Sequence, residues 1–154
     1  MEFRYSSIGV IRSAFPEKFG IPRQPGLVPE SRATVEMENN PEFRTALQAL
    51  EKFSHCWIIF AFHDVDAGHW NPTVRPPRLG GAKRVGLFAS RSPHRPNPIG
   101  ISAVRIDRVE ADARGGPKLH VSGADFLDGT PVLDIKPYIK YADSIPRASD
   151  GWAP

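Results

Sequence analysis

With a single cysteine, Cys56, the chain can form no internal disulfide, and one unpaired thiol suits a reducing compartment. No segment approaches the roughly 18 consecutive apolar residues of a membrane-spanning helix. The opening Met1-Glu2-Phe3-Arg4-Tyr5 lacks the apolar stretch of a signal peptide. A cytoplasmic protein with no membrane partner is expected. Neither Gly-x-x-x-x-Gly-Lys nor Gly-x-Gly-x-x-Gly occurs, which excludes the usual phosphate-cradling and dinucleotide-binding turns. His-x-x-x-His and Cys-x-x-Cys are also missing. No internal repeat or low-complexity tract is visible.

What is plentiful is proline, at 16 residues, with 13 glycines in a chain of 154. That composition favours a loop-rich or β-rich fold over a helical bundle. The length fits one domain with a real core, so residues 1–154 are read as a single domain ending in a polar tail over 140–154, with no separate C-terminal domain. Strands are expected over residues 3–12, 33–38, 55–63, 85–89, 101–109, 119–124 and 132–135. At 33–38, Ala33, Val35 and Met37 alternate with Thr34, Glu36 and Glu38. In the run 55–63, Cys56, Ile58, Phe60 and Phe62 share one face, with His55, Trp57, Ile59, Ala61 and His63 on the other. One helix opens at Asn40-Pro41, where Phe43, Ala46, Leu47, Leu50 and Phe53 recur at three- and four-residue spacing. Many short strands with one helix predict a mainly β fold: a small β-barrel with one short helix and long loops.

Net charge is only +3, but eight cations and one acid, Asp107, fall between Ala67 and Arg108. A basic stretch on an otherwise mildly acidic chain is a footprint for an anionic partner. Within it, His69 and Trp70 offer stacking faces that suit a nucleic acid. The same window holds Arg91-Ser92-Pro93-His94-Arg95-Pro96-Asn97-Pro98-Ile99-Gly100. Its three prolines fix φ and remove donors, so the segment is a stiff, extended loop carrying two arginines, a histidine and an asparagine. Rigid backbone lowers the entropy cost of holding polar side chains in place. A surface turn with solvated arginines is the plainer alternative.

Other chemistries find little support. His55 and His63 are eight residues apart on one strand, roughly 26 Å, and zinc ligands sit ~2 Å from the ion. His63 with Asp66 or His69 is the remaining pairing, and no metal is assigned. Cys56 lies among apolar neighbours, where a thiol is inert. Ser92 and Ser102 lack a nucleophile elbow. What remains is four polar loops at strand ends: Pro22-Arg23-Gln24, His63-Asp64, residues 91–97 and Asp128-Gly129-Thr130-Pro131. They are expected to converge, because ligand sites in small barrels lie at the mouth or between subunits.

These residues resemble the TrmO-like (TsaA-like, VirR-like) tRNA adenine N6-methyltransferases. The resemblance rests on Arg91-Ser92-x-x-Arg95-Pro96-Asn97-Pro98-Ile99-Gly100, Pro22-Arg23-Gln24-Pro25-Gly26, Phe53-Ser54-His55-x-Trp57-Ile58 and Arg75-Pro76-Pro77-Arg78. It continues through Asp128-Gly129-Thr130-Pro131-Val132-Leu133-Asp134-Ile135-Lys136-Pro137-Tyr138. It implies an S-adenosylmethionine-dependent homodimer that methylates the exocyclic nitrogen of threonylcarbamoyladenosine just 3′ of the tRNA anticodon. Carried over by motif, the cofactor contacts are Pro22, Arg23, Gln24, His63, Asp64, Arg91, Asp128, Gly129, Thr130 and Pro131. With tRNA as partner, Arg75, Arg78, Lys83, Arg84 and Arg95 are the expected substrate contacts. His63 or His94 would accept the proton lost from nitrogen, although a reaction driven by positioning alone fits equally. A nucleotide- or S-adenosylmethionine-binding module without catalysis is the alternative, and a hydrolase using His63-Asp64 is a third reading.

Overall fold

The structure, a computed structural model, describes residues 1–16, 20–66 and 68–153. The chain divides into two compact units: Met1–Ala61 with Ile101–Tyr138, and Phe62–Gly100 with Ile139–Pro154. The first unit is built on a closed barrel. Its strands are β1 (Gly9–Ser13), β2 (Arg32–Met37), β3 (His55–Ala61), β6 (Ile99–Glu110), β7 (Lys118–Ser122) and β8 (Pro131–Pro137). They run in the order β1-β2-β7-β6-β3-β8, and β8 pairs back onto β1. Closure leaves no edge strand to recruit another chain.

Period-two alternation decides which side chains enter the barrel. Ala33, Val35 and Met37 of β2 are buried, as are Cys56, Ile58 and Phe60 of β3 and Leu119 and Val121 of β7. Phe126 packs edge-on against Phe60, with ring centroids 5.2 Å apart, a favoured aromatic geometry. Ser102 of β6 also points inward, and its hydroxyl donates to Asp125 Oδ1 at 2.8 Å, which avoids the penalty of an unbonded buried hydroxyl. At Gly9 the β2 backbone leaves no room for a side chain: a Cβ there would lie 2.6 Å from the Glu36 carbonyl oxygen.

The predicted helix begins where its cap chemistry says. The Asn40 side chain accepts from the Glu42 N–H at 2.8 Å, and Pro41 opens α1 (Pro41–Ala46). It ends earlier than the apolar spacing suggests. Ala49 takes a left-handed φ of 67° and leads into a 3₁₀ turn at Leu50–Lys52, so Leu47 is buried while Phe53 is exposed. The first strand is also shorter than residues 3–12, beginning only at Gly9.

The second unit carries β4 (Thr73–Val74) and β5 (Val85–Gly86), an antiparallel pair of two residues each. The expected strand over 85–89 is thus corrected: after Gly86 the chain turns into a 3₁₀ segment, Leu87–Ala89. The cause is Ser90, whose N–H and hydroxyl both donate to the Leu87 carbonyl, at 3.0 and 2.7 Å. The tail holds a one-turn helix, α2 (Lys140–Asp143). Among the described residues no helix is long and apolar enough to cross a membrane.

Gly9→Ala should destabilise the protein by about 1–3 kcal/mol, because backbone sits where the methyl must go. The measure is the urea midpoint, which should fall with an unchanged m-value.

Candidate functional site

In the barrel unit, Asp128–Pro131 forms a tight turn sewn onto the end of β1. Thr130 N–H donates to the Leu127 carbonyl at 3.3 Å, and Gly129 takes a φ of 82°. That is the position where a type II turn requires a positive φ. Asp128 Oδ1 accepts the Ser13 N–H at 3.0 Å, Asp128 N–H donates to Phe15, and Gly129 N–H donates to Ile11. Thr130 is buried, its hydroxyl donating to Leu127 at 2.6 Å. Pro22 and Gln24 are half-buried, and Arg23 is exposed. This loop is tied down by Gly26 N–H donating to the Gly123 carbonyl at 2.9 Å.

In the second unit a cleft of about 480 Å³ is lined by His63, Asp64, Val65, Asp66, His69 and His94. Three of the expected site residues, His63, Asp64 and His94, are therefore brought together. Asp66 entered the sequence reading only as a possible metal partner, His69 as that and as a stacking face, and Val65 not at all. Their proximity to His63 along the chain was the available signal. Among the described residues, no group of three or more His, Cys, Asp or Glu side chains is arranged to hold a metal ion.

The proline-braced loop owes its shape to Arg95 as well as to its prolines. Arg95 Nη1 donates to the Ser90 carbonyl at 2.8 Å and the Ser92 carbonyl at 3.3 Å, and its guanidinium lies 5.9 Å from the Phe88 ring centroid. Arg91, next in the loop, is exposed. Arg75, Arg78, Lys83 and Arg84 are exposed too. Arg84 Nη1 reaches Thr73 Oγ1 at 3.0 Å and Arg78 Nη1 the Ala153 carbonyl at 3.0 Å. Arg75 Nη1 makes a long 3.5 Å bond to Gly81.

Two other groups belong to the scaffold. His120 on β7 links its ring to Glu110 at 2.6 Å and to Thr34 at 3.2 Å. That hydrogen bond, with a further pull from Arg108, holds the Glu110 carboxyl below its ordinary range. Cys56 is fully buried, and burial pushes its thiol pKa up to about 12. It is unsuited to nucleophilic work near neutrality.

Comparison with known proteins adds a second line of observation. The family model of the tRNA-methyltransferase O N-terminal domain matches residues 10–144. The tRNA (adenine(37)-N6)-methyltransferase of Escherichia coli (strain K12) is 48% identical over 151 residues, spanning 98% of this chain and 64% of that enzyme. A probable S-adenosyl-L-methionine-binding protein of Pyrococcus abyssi is 40% identical over 148 residues, covering 96% of this chain and 74% of that protein. The crystal structure of TrmO from Pseudomonas aeruginosa superposes with a TM-score of 0.80 at 46% identity, over 99% of this chain and 63% of that one. The chain thus spans slightly less than two thirds of the bacterial methyltransferase relatives it matches.

The raised Cys56 pKa carries a pH signature. Above about pH 9 the unfolded thiol loses its proton while the native one keeps it, so native stability should fall from pH 9 towards 12. Cys56→Ala should remove that part of the slope in denaturation measured across this range. An equal slope in both proteins would contradict the buried thiol.

Proposed function

The chain belongs to the tRNA-methyltransferase O N-terminal domain family, and on that premise we propose that it is an S-adenosylmethionine-dependent tRNA methyltransferase. Its target in this reading is the exocyclic nitrogen of threonylcarbamoyl-modified adenosine just 3′ of the anticodon. The observation that carries the reading is the near-complete alignment of this chain with the Escherichia coli adenine-37 enzyme. A cytoplasmic homodimer completes it, and the buried free thiol accords with a reducing compartment.

The residues present fit the cofactor. The cleft volume falls within the roughly 300–1,000 Å³ typical of small-ligand pockets, and its wall carries two carboxylates, Asp64 and Asp66, suited to a ligand with an ammonium and a sulfonium. Arg23 and Arg91 are assigned to the ligand carboxylate, which a guanidinium can grip with paired donors. Asp128, with Oδ1 engaged by Ser13, offers Oδ2 to an ammonium or a ribose hydroxyl. Pro22, Gln24, Gly129, Thr130 and Pro131, all on the barrel unit, are carried over from the family motifs as further cofactor contacts.

S-adenosylmethionine supplies a methyl group on a sulfonium. Its thioether would leave neutral as a nitrogen took the methyl, so the task of the residues here would be to hold nitrogen and methyl in line. The nitrogen must also shed a proton. His63 and His94 both line the cleft, and either imidazole can take it. Arg75, Arg78, Lys83, Arg84 and Arg95 are assigned to the RNA. In the first three and Arg84 the charge is exposed, while Arg95 serves chiefly to hold its own loop.

A passive S-adenosylmethionine-binding module is the second reading, favoured by the name of the archaeal relative. Mass spectrometry of tRNA nucleosides incubated with enzyme and cofactor decides between them: a methyl gain on the modified adenosine is expected, and its absence at full cofactor occupancy would favour the binder. Arg91→Ala should weaken cofactor binding at least about tenfold by calorimetry, the size of a lost bond to a charged group, with an unchanged melting temperature. Replacing Lys83 and Arg84 by alanine should lower the salt slope of RNA binding by about 0.7–0.9 per cation removed and leave cofactor affinity intact.

A further inference from the structure

Phe88 is one of three large hydrophobic side chains among the described residues of the second unit, with Tyr141 and Ile145, that are more than 70% exposed. It is 81% exposed, while its neighbour Leu87 is 2% exposed. Exposure of this kind on a loose loop would carry little meaning, but the backbone beneath Phe88 is clamped on both sides. Ser90 closes the turn onto Leu87 through its N–H and its hydroxyl. Trp152 Nε1 donates to the Ala89 carbonyl at 2.7 Å. Arg95 Nη1 holds the Ser90 carbonyl at 2.8 Å, and its guanidinium lies over the ring at 5.9 Å from the centroid. The ring therefore has a cation near one face, a fixed stalk and extensive contact with solvent.

The sequence on either side of it is one-sided in charge. Between Asp66 and Asp107 there is no acidic residue, and six cations fall within residues 73–95. Arg84, four positions before Phe88 in the chain, donates to Thr73 Oγ1 at 3.0 Å. A second copy meeting this segment face to face would set cations against cations. A polyanion with flat apolar faces suits both properties at once, and unpaired nucleotides are such a polymer: aromatic rings stack on bases while cations track phosphates.

We propose that Phe88 is a stacking platform for an unpaired nucleobase of the RNA substrate, with Arg95 bracing the ring and Lys83 and Arg84 drawing the adjacent phosphates. The inference rests on the tRNA reading and adds to it a specific point of contact. The stacked base need not be the one that is methylated, since Phe88 is absent from the lining of the cleft.

The test uses the full chain and a fluorescent anticodon stem–loop RNA, with a 2-aminopurine placed in turn at each loop position. Phe88→Ala and Phe88→Leu should both weaken RNA binding roughly five- to a hundredfold, the range for one base–aromatic stack. Phe88→Trp should bind at least as tightly as the wild type. Quenching of 2-aminopurine at one loop position should be seen with the wild type and Phe88→Trp and be lost in the other two. Melting temperature and S-adenosylmethionine affinity should be the same in all four proteins. RNA binding and quenching unchanged in Phe88→Ala would overturn the platform while leaving the methyltransferase reading intact. So would a Phe88→Ala protein that binds RNA normally but sediments as a smaller species, because Phe88 would then serve self-association. Failure of the wild type to bind the RNA or methylate tRNA would remove the methyltransferase reading and the platform together.

Discussion

Closure of the barrel between its first and last strands is the constraint on which the rest of the first unit depends. The seam is short: β1 and β8 share only the register pairs Gly9↔Val132 and Val10↔Pro131. It is extended past the strands by the Ile11 N–H to the Thr130 carbonyl at 2.9 Å and the Gly129 N–H back to the Ile11 carbonyl at 2.8 Å. Ser13 then holds Asp128 and, through its hydroxyl, the Phe126 carbonyl at 2.8 Å. The turn assigned to the cofactor is thus the same stretch of chain that locks the barrel. Its Asp and Thr are partly committed to structure, which fixes their orientation before any ligand arrives. Such preorganisation lowers the cost of binding.

The second unit reaches rigidity by different means. Among its described residues the ladder is the two-residue β4–β5 pair, joined by prolines, by side-chain bonds to backbone carbonyls and by a buried Leu87. Arg95 shows how much of this is hidden from sequence. An arginine in a basic, proline-rich loop reads as a phosphate contact. In the fold, one of its terminal nitrogens is spent on three backbone carbonyls, and its guanidinium lies 5.9 Å from the Phe88 ring centroid. A carbonyl acceptor leaves no mark in a sequence, whereas a carboxylate partner at a suitable spacing would have.

What was legible follows from how local each signal is. The N-cap at Asn40 and the proline after it are neighbouring residues with fixed chemistry, and that helix start was placed correctly. The alternating strands β2, β3, β6 and β7 were placed because burial on one face imposes a period of two over five or more residues. The pair β4 and β5 is too short to show any period. Val85, Leu87 and Ala89 imitate a strand face, and only the double bond from Ser90 to Leu87 breaks it. The helix was overrun because its left-handed residue is Ala49, where no glycine announces the turn. Of the candidate site, the histidine cluster could be seen only in part: His63 and His94 are 31 positions apart in the chain, and it takes the fold to set them on one cleft with Asp66 and His69.

The electrostatic reading is the one that the fold sharpens most. Counted along the chain, the basic window runs to Arg108 with a single acid. In the structure its last two arginines leave the set. Arg105 pairs with Asp107 at 3.1 Å, and Arg108 contacts Glu110, which also holds His120. A bulge between Ile106 and Arg108 on β6 places Asp107 so that it also accepts the Ser122 hydroxyl at 2.9 Å. Bulges redirect side chains in this way. Exposed pairs of this kind add little to stability, but each cancels a charge that would otherwise attract a polyanion. The basic run that remains is residues 73–95, where six cations have no acidic residue among them in the sequence and where the chain is short of regular structure. A footprint that looked some forty residues long contracts to about half that length. The contraction puts the whole of it on the unit that also holds the histidine-lined cleft and Phe88.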